Sequence, residues 1–166
     1  MILGMSTSMF TLVHVLISLA GIGSGFVVLI GMLNSQRRDG WTGIFVITSM
    51  LTSLTGFLFP FEQLLPSHLL GLLSLLVITI ALFARNVFHF AGPWRLVYVV
   101  AIAMALYLNC FAAVVQLFAK IPALKALAPT QTEPPFLIAQ SLVLAVFLVL
   151  TYLAAKRFRV APVRDL

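Results

Sequence analysis

The stretch TLVHVLISLAGIGSGFVVLIGML, from Thr11 to Leu33, decides the fold of this chain. It contains no charged residue, and it is longer than the roughly 20 apolar residues that a helix needs to cross a membrane. It carries His14 near its start and four glycines, at positions 21, 23, 25 and 31. Small residues mark the surfaces where membrane helices pack closely. The stretch therefore predicts a spanning helix that organises others around it.

The composition excludes a soluble globular domain. The chain has 166 residues, of which 62% are hydrophobic and 8% are charged, whereas soluble domains carry about 25% charged residues. The net charge of +6 comes from basic residues in short segments between apolar runs and in the last eleven residues. This placement indicates membrane orientation and no nucleic-acid partner. The single cysteine, Cys110, cannot form an intramolecular disulfide.

Five apolar runs are long enough to span a bilayer. They cover approximately residues 9–33, 41–60, 67–88, 95–119 and 136–155. They predict an all-α polytopic membrane helical bundle, a single domain over residues 1–166, located as a multi-pass protein in a bacterial inner membrane. The first ten residues carry no positive charge, so we expect the first helix to be retained rather than cleaved as a signal peptide.

The basic residues predict the orientation of the bundle. With five spans, one face collects eight of them, namely Arg37, Arg38, Arg85, Arg95, Lys156, Arg157, Arg159 and Arg164. The other face keeps Lys120 and Lys125. Because positive residues accumulate on the cytoplasmic side, we expect the N-terminus outside and the C-terminus in the cytoplasm. The segment 120–135, with four prolines, is expected to lie on the membrane or to cap the outer mouth of the bundle.

Small and hydroxylated residues recur at helical spacing and predict the packed faces. The stripes are Gly21 and Gly25; Thr48, Thr52 and Thr55; Ser49, Ser53 and Gly56; Ser67, Gly71 and Ser74; and Ala101, Ala105, Asn109, Ala112 and Gln116. We expect all of these stripes to face the interior of the bundle, because close helix packing in lipid uses small residues and interhelical hydrogen bonds.

Polar residues within the spans are the candidates for a site, since each is costly in lipid unless it has a partner. Counting about 1.5 Å per residue from the basic ends of the helices places them in the outer third of the membrane or just above it. They are His14, His68, Glu62, Asn109, Gln116 and Gln140. Histidines on facing helices can ligate a b-type haem, so His14 and His68 are candidate haem ligands. Packing and hydrogen bonding, or proton or substrate handling, are the alternatives.

One resemblance rests on the first third of the chain. His14 on a glycine-rich helix is followed by the basic turn Arg37-Arg38-Asp39-Gly40, by Trp41, and by a helix rich in serine and threonine that ends Leu54-Thr55-Gly56. This arrangement resembles small uncharacterised bacterial multi-pass inner-membrane proteins. In such proteins we expect a histidine where the second helix begins, and this chain has Trp41 there. The resemblance implies a membrane location and no particular activity.

Three functions stay open from the sequence. The first is an accessory component of a membrane complex, bound to another membrane protein or to further copies of itself, and more consistent with a non-enzyme. It rests on small size, several small-residue faces, and the absence of phosphate-loop, HExxH and GxSxG motifs. The second is a haem-binding or quinone-interacting redox protein with an outer-side site at His14 and His68. The third is a small transporter or channel subunit, its path lined by Asn109, Gln116 and Gln140.

Overall fold

In the part of the chain that the structure describes, the regular elements are helices. The structure is a computed structural model and describes residues 2, 4–59 and 66–159. The helices are α1 (Thr7–Leu33), α2 (Asp39–Gly56), α3 (Pro66–Asn86), α4 (Trp94–Lys120), α5 (Pro122–Leu127) and α6 (Pro134–Arg157). The predicted all-α class is confirmed, and the five predicted runs correspond to α1, α2, α3, α4 and α6.

Four of these helices, α1, α3, α4 and α6, are long and apolar enough to cross a membrane. The predicted membrane bundle is confirmed to that extent. α2 has 18 residues and is interrupted along its length by threonine, serine and glycine. It ends at Gly56, whereas the sequence predicted a run to residue 60. Glu62, which the sequence placed in the polar cluster, lies outside the described residues.

The helix starts follow from local sequence. The hydroxyl of Ser6 accepts a hydrogen bond from the backbone amide of Met9, which caps α1. Three other helices begin at a proline, Pro66, Pro122 and Pro134. Proline suits the first helical turn because its missing N–H would have no partner there. The proline-rich segment 120–135 thus contains the short helix α5 and the start of α6, which the apolar pattern alone did not show.

α4 is the central helix of the bundle. It packs against α1, α3, α5 and α6, while α2 packs between α1 and α3. Half of the most apolar stretch of α4 is buried inside the chain, against 17% for α6. The largest side chains of the core that are fully buried between the helices include Phe45, Leu29, Ile78, Ile102 and Leu106. α6 therefore exposes most of its surface to the surroundings.

The glycines of α1 explain how it approaches its neighbours. A Cβ atom at Gly25 would lie 2.6 Å from Leu106 and 2.8 Å from the Phe45 ring, both fully buried. A Cβ at Gly21 would lie 3.2 Å from the Thr48 hydroxyl. Gly23 is exposed, and nothing lies within 4 Å of its Cβ position. Gly21 and Gly25 therefore form the packed face of α1, as predicted, and Gly23 does not.

The two ends of the bundle differ in charge. We call the end that carries Arg37, Arg85 and Arg95 the basic end. There the Asp39 carboxylate pairs with Arg85 at 3.0 Å and with Arg37 at 3.2 Å. The Arg95 guanidinium donates to the Phe158 carbonyl at the end of α6. These contacts join the start of α2 to the end of α3, and the start of α4 to the end of α6.

The opposite end is closed by the segment after α4. Ala128 is buried against Phe118 and Phe136, and the Gln131 amide donates to the Val115 carbonyl at 3.0 Å. Glu133 precedes α6. Desolvation acts to raise the pKa of its carboxyl, and hydrogen bonds from Thr130 and from nearby backbone amides together lower that pKa below its ordinary value. The expectation that this segment caps the bundle agrees with these contacts.

The close contact at Gly25 yields a stability prediction. Gly25→Ala should lower the free energy of unfolding by about 1–3 kcal/mol, because neither Phe45 nor Leu106 has room to move. Denaturant unfolding of the protein in detergent micelles, followed by circular dichroism, measures this change.

Gly23→Ala is the matched control for that substitution. It adds the same methyl group to the same helix in open space, so it should be neutral or stabilising by up to about 1 kcal/mol. Equal stabilities of the two variants would contradict the close-packing assignment.

Candidate functional site

His14 is fixed by a hydrogen bond to α2. Its Nδ1 atom lies 2.8 Å from the Thr55 hydroxyl, and that hydroxyl donates its own proton to the Leu51 carbonyl at 2.6 Å. Thr55 therefore accepts, and His14 Nδ1 is the donor in its neutral form. Its Nε2 atom then carries the free lone pair. The imidazole is half-buried and meets the edge of the Phe59 ring at 5.3 Å between centroids.

A series of polar contacts continues from His14 along the α1–α2 interface. The Ser18 hydroxyl lies 3.3 Å from that of Thr52. Further along, Gly21 leaves room for Thr48. Many of these hydroxyls also donate to the carbonyl four residues earlier, as Ser18 does to His14 at 2.8 Å. Such bonds satisfy hydroxyl groups inside a membrane helix, so this series works as a packing interface.

His68 lies in a different environment. It is 4% exposed, and its ring packs on Phe57 at 5.3 Å between centroids. α2 packs between α1, which carries His14, and α3, which carries His68. The histidines that the sequence proposed as a pair are each held by the C-terminal part of α2 or the turn after it.

The predicted polar cluster is divided between two interfaces. The Asn109 amide donates to the Ser49 hydroxyl at 2.8 Å and joins α4 to α2. The Gln140 amide donates to the Phe111 carbonyl at 3.2 Å and joins α6 to α4. Gln116 is exposed at the end of α4, so the expectation that it faces the interior is wrong. Phe118, two residues further along α4, is buried, so neighbouring segments cover a different side of α4 at this level.

Gln140 keeps one group unpaired. Its Oε1 atom is buried and has no hydrogen-bond partner in the part of the chain that the structure describes. A buried amide oxygen without a donor is costly, so this position combines one interhelical bond with one unsatisfied acceptor.

The described residues do not support a metal site built from several side chains. They contain no group of three or more histidine, cysteine or acidic side chains that could hold a metal ion. Cys110 is free and half-buried. If His14 binds a metal or a haem iron, its Nε2 atom is the ligating atom. Any further ligands would have to come from outside a cluster of this kind.

The basic end holds a recess that the sequence did not predict. Phe90 and Phe158 line it together with Tyr98, and Arg37 and Arg38 lie at its edge. Phe90 adopts a left-handed backbone conformation, φ 62°, which turns its ring onto Tyr98 at 4.9 Å between centroids. The Arg37-Arg38-Asp39 run is the only part of this site that stands out as a group in the sequence. The residues that complete it come from distant segments.

A comparison of the chain with protein-family models, with curated proteins and with solved structures finds no match. The resemblance to small bacterial inner-membrane proteins therefore stays a prediction.

The haem hypothesis makes a direct spectroscopic prediction. A haem held by both histidines requires a Soret band in protein purified from haem-replete cells, and loss of that band in His14→Ala and in His68→Ala. Thr55→Val is the informative third variant, because it removes the acceptor that fixes the His14 tautomer and should weaken binding without removing a ligand.

Colourless, correctly folded protein would rule out the haem hypothesis. A band that survives in both alanine variants would place the haem elsewhere.

Proposed function

We propose that this chain is a five-span inner-membrane protein, with its N-terminus outside, that acts as an accessory component of a membrane complex and binds a partner through α6. The proposal treats α2 as the fifth span, and it has two parts, the topology and the partner surface.

Contacts along α2 support the fifth span. Its residues pair with α1 in antiparallel order, from Thr55 beside His14 to Phe45 beside Gly25. At 18 residues it is about 27 Å long, close to the thickness of the hydrocarbon core, about 30 Å. The Asp39–Arg85 ion pair joins the start of α2 to the end of α3. If α1 and α3 span the bilayer, the contacts of α2 with both carry it across as well.

The distribution of charge supports the orientation. The basic end carries Arg37, Arg38, Arg85, Arg95, Lys156, Arg157 and Arg159. The opposite end carries Lys120 and Lys125, in and before the segment that caps it. A strong excess of arginine and lysine at one end is typical of the cytoplasmic side.

The topology predicts which loops share a side of the membrane. In a Cys110→Ala background, single cysteines at Gln36 and His89 should react with a membrane-impermeant maleimide only after the inner membrane is permeabilised. A cysteine at Lys125 should react in cells whose inner membrane is intact.

Four spans without α2 would place Gln36 and His89 on opposite sides, because only one crossing, α3, would separate them. Labelling of these two positions under different conditions would therefore overturn the five-span topology.

The observation that carries the partner surface is the exposed hydroxyl of Ser141. α6 is the least buried of the four candidate spans, and Ser141 is exposed on it with no hydrogen-bond partner among the described residues. Ala145, one turn further, is also exposed. A small residue four positions from another allows close approach of a second helix, and hydroxyl groups bond across such contacts.

Site-specific photocrosslinking tests the partner surface. Benzoylphenylalanine at position 141 or 145 should give a protein adduct of defined mass in cells. The mass distinguishes a second copy of this chain from a different membrane protein. The controls are positions 72 and 76, where Leu72 and Leu76 are exposed on α3 at 55% and 57%.

Adducts with lipid alone at all four positions would contradict the proposal. Protein adducts of equal yield at all four positions would do so as well, because they would indicate random collision in the membrane.

A further inference from the structure

The recess at the basic end has both apolar and polar residues in its lining. The apolar ones, Val28, Met32, Phe90 and Phe158, come from α1, the α3–α4 connection and the segment after α6. Val28, Met32 and Phe158 are each 2% exposed, so they offer almost no surface to a ligand. Arg37 and Arg38, in the α1–α2 connection, are exposed, and we call them the basic edge. The recess can therefore contact a negative group.

The positive charge at this edge is only partly compensated. Asp39 is the one described carboxylate at the basic end, and it is shared between Arg37 and Arg85. The Arg37 guanidinium also lies over the Phe90 ring, 5.2 Å from its centroid. Arg38 pairs with no carboxylate among the described residues and donates to the neutral Gln36 side chain at 2.8 Å. Arg38 therefore keeps its full charge and most of its donors.

Contacts with neighbouring segments hold the basic edge in place. The Ser35 hydroxyl donates to the Arg159 carbonyl at 3.2 Å and lies 3.0 Å from the Arg159 amide nitrogen. This contact joins the segment after α6 to the α1–α2 connection. The stem of Arg38 packs over Gly31, where a Cβ would lie 2.6 Å from its Cγ atom. The basic edge is thus a built part of the bundle.

We propose that this recess binds the phosphate group of an anionic phospholipid, with Arg38 as its principal ligand and Arg37 beside it. A guanidinium matches phosphate in a bidentate geometry, and basic pockets between membrane helices bind anionic headgroups. Asp39, in the first turn of α2, opposes binding, and its two arginine partners offset its charge. The position of the recess at the basic end of apolar helices favours a lipid headgroup over a free anion.

Native mass spectrometry of the full chain in detergent tests this site. The probes are dioleoylphosphatidylglycerol and dioleoylphosphatidylcholine, whose acyl chains are identical. Wild-type protein should retain the anionic lipid about tenfold more tightly than the zwitterionic one, which corresponds to about 1.4 kcal/mol. Arg38→Gln should bring this ratio close to one.

Arg157→Gln is the matched control. It removes one positive charge at the same end from a residue outside the recess, so it should leave the ratio within a factor of about two. If Arg38→Gln fails to fold, Arg38→Lys and Arg157→Lys replace the pair. Lysine keeps the charge and loses the fork of donors, so only Arg38→Lys should lower the ratio.

Three results would overturn the proposal. Equal retention of the two lipids would show that no headgroup site exists. Equal losses in Arg38→Gln and Arg157→Gln would show that diffuse charge holds the lipid. Displacement of the anionic lipid by millimolar inorganic phosphate would show a site for free anions.

Discussion

The close approach of α1 to α2 and α4 is the constraint on which the rest of the bundle depends. Lipid chains are as apolar as leucine, so helices in a membrane gain little from hiding apolar side chains. What they gain is van der Waals contact, which requires close-fitting surfaces. At Gly25 the absence of a side chain lets Phe45 and Leu106 reach the backbone of α1. The contact joins three helices at one point, and α4 then positions α3 and α6.

Polar groups on these helices strengthen the contacts. His14, Ser18 and Asn109 each bond across an interface to a hydroxyl on α2. In lipid an unpaired polar group is costly, so such bonds fix which helix faces which. Gln140 Oε1 and the Ser141 hydroxyl have no partner among the described residues, and both lie on the helix that we assign to partner binding.

The two ends of the bundle differ in the contacts that they make. At the basic end an ion pair and arginine bonds to backbone carbonyls join helices that are far apart in sequence. None of these contacts gives Arg38 a carboxylate partner, and Arg38 lines the recess at this end. At the opposite end, α5 and the Thr130–Glu133 turn close the bundle. A lipid site at one end and a protein contact along α6 would fix the protein in its membrane and in its complex.

The sequence by itself determined that this is a helical bundle with several apolar spans, because their lengths and composition depend on no partner. It also located the packed face of α1, since Gly21 and Gly25 lie one turn apart. Only the tertiary structure decided which helix interface each polar side chain faces. Depth along a helix axis follows from residue counting, and rotation about that axis depends on which neighbour covers it. His14 and His68 share a depth by counting, yet α2 packs between their helices. The recess joins positions 38, 90 and 158, and no pattern within the chain could bring them together.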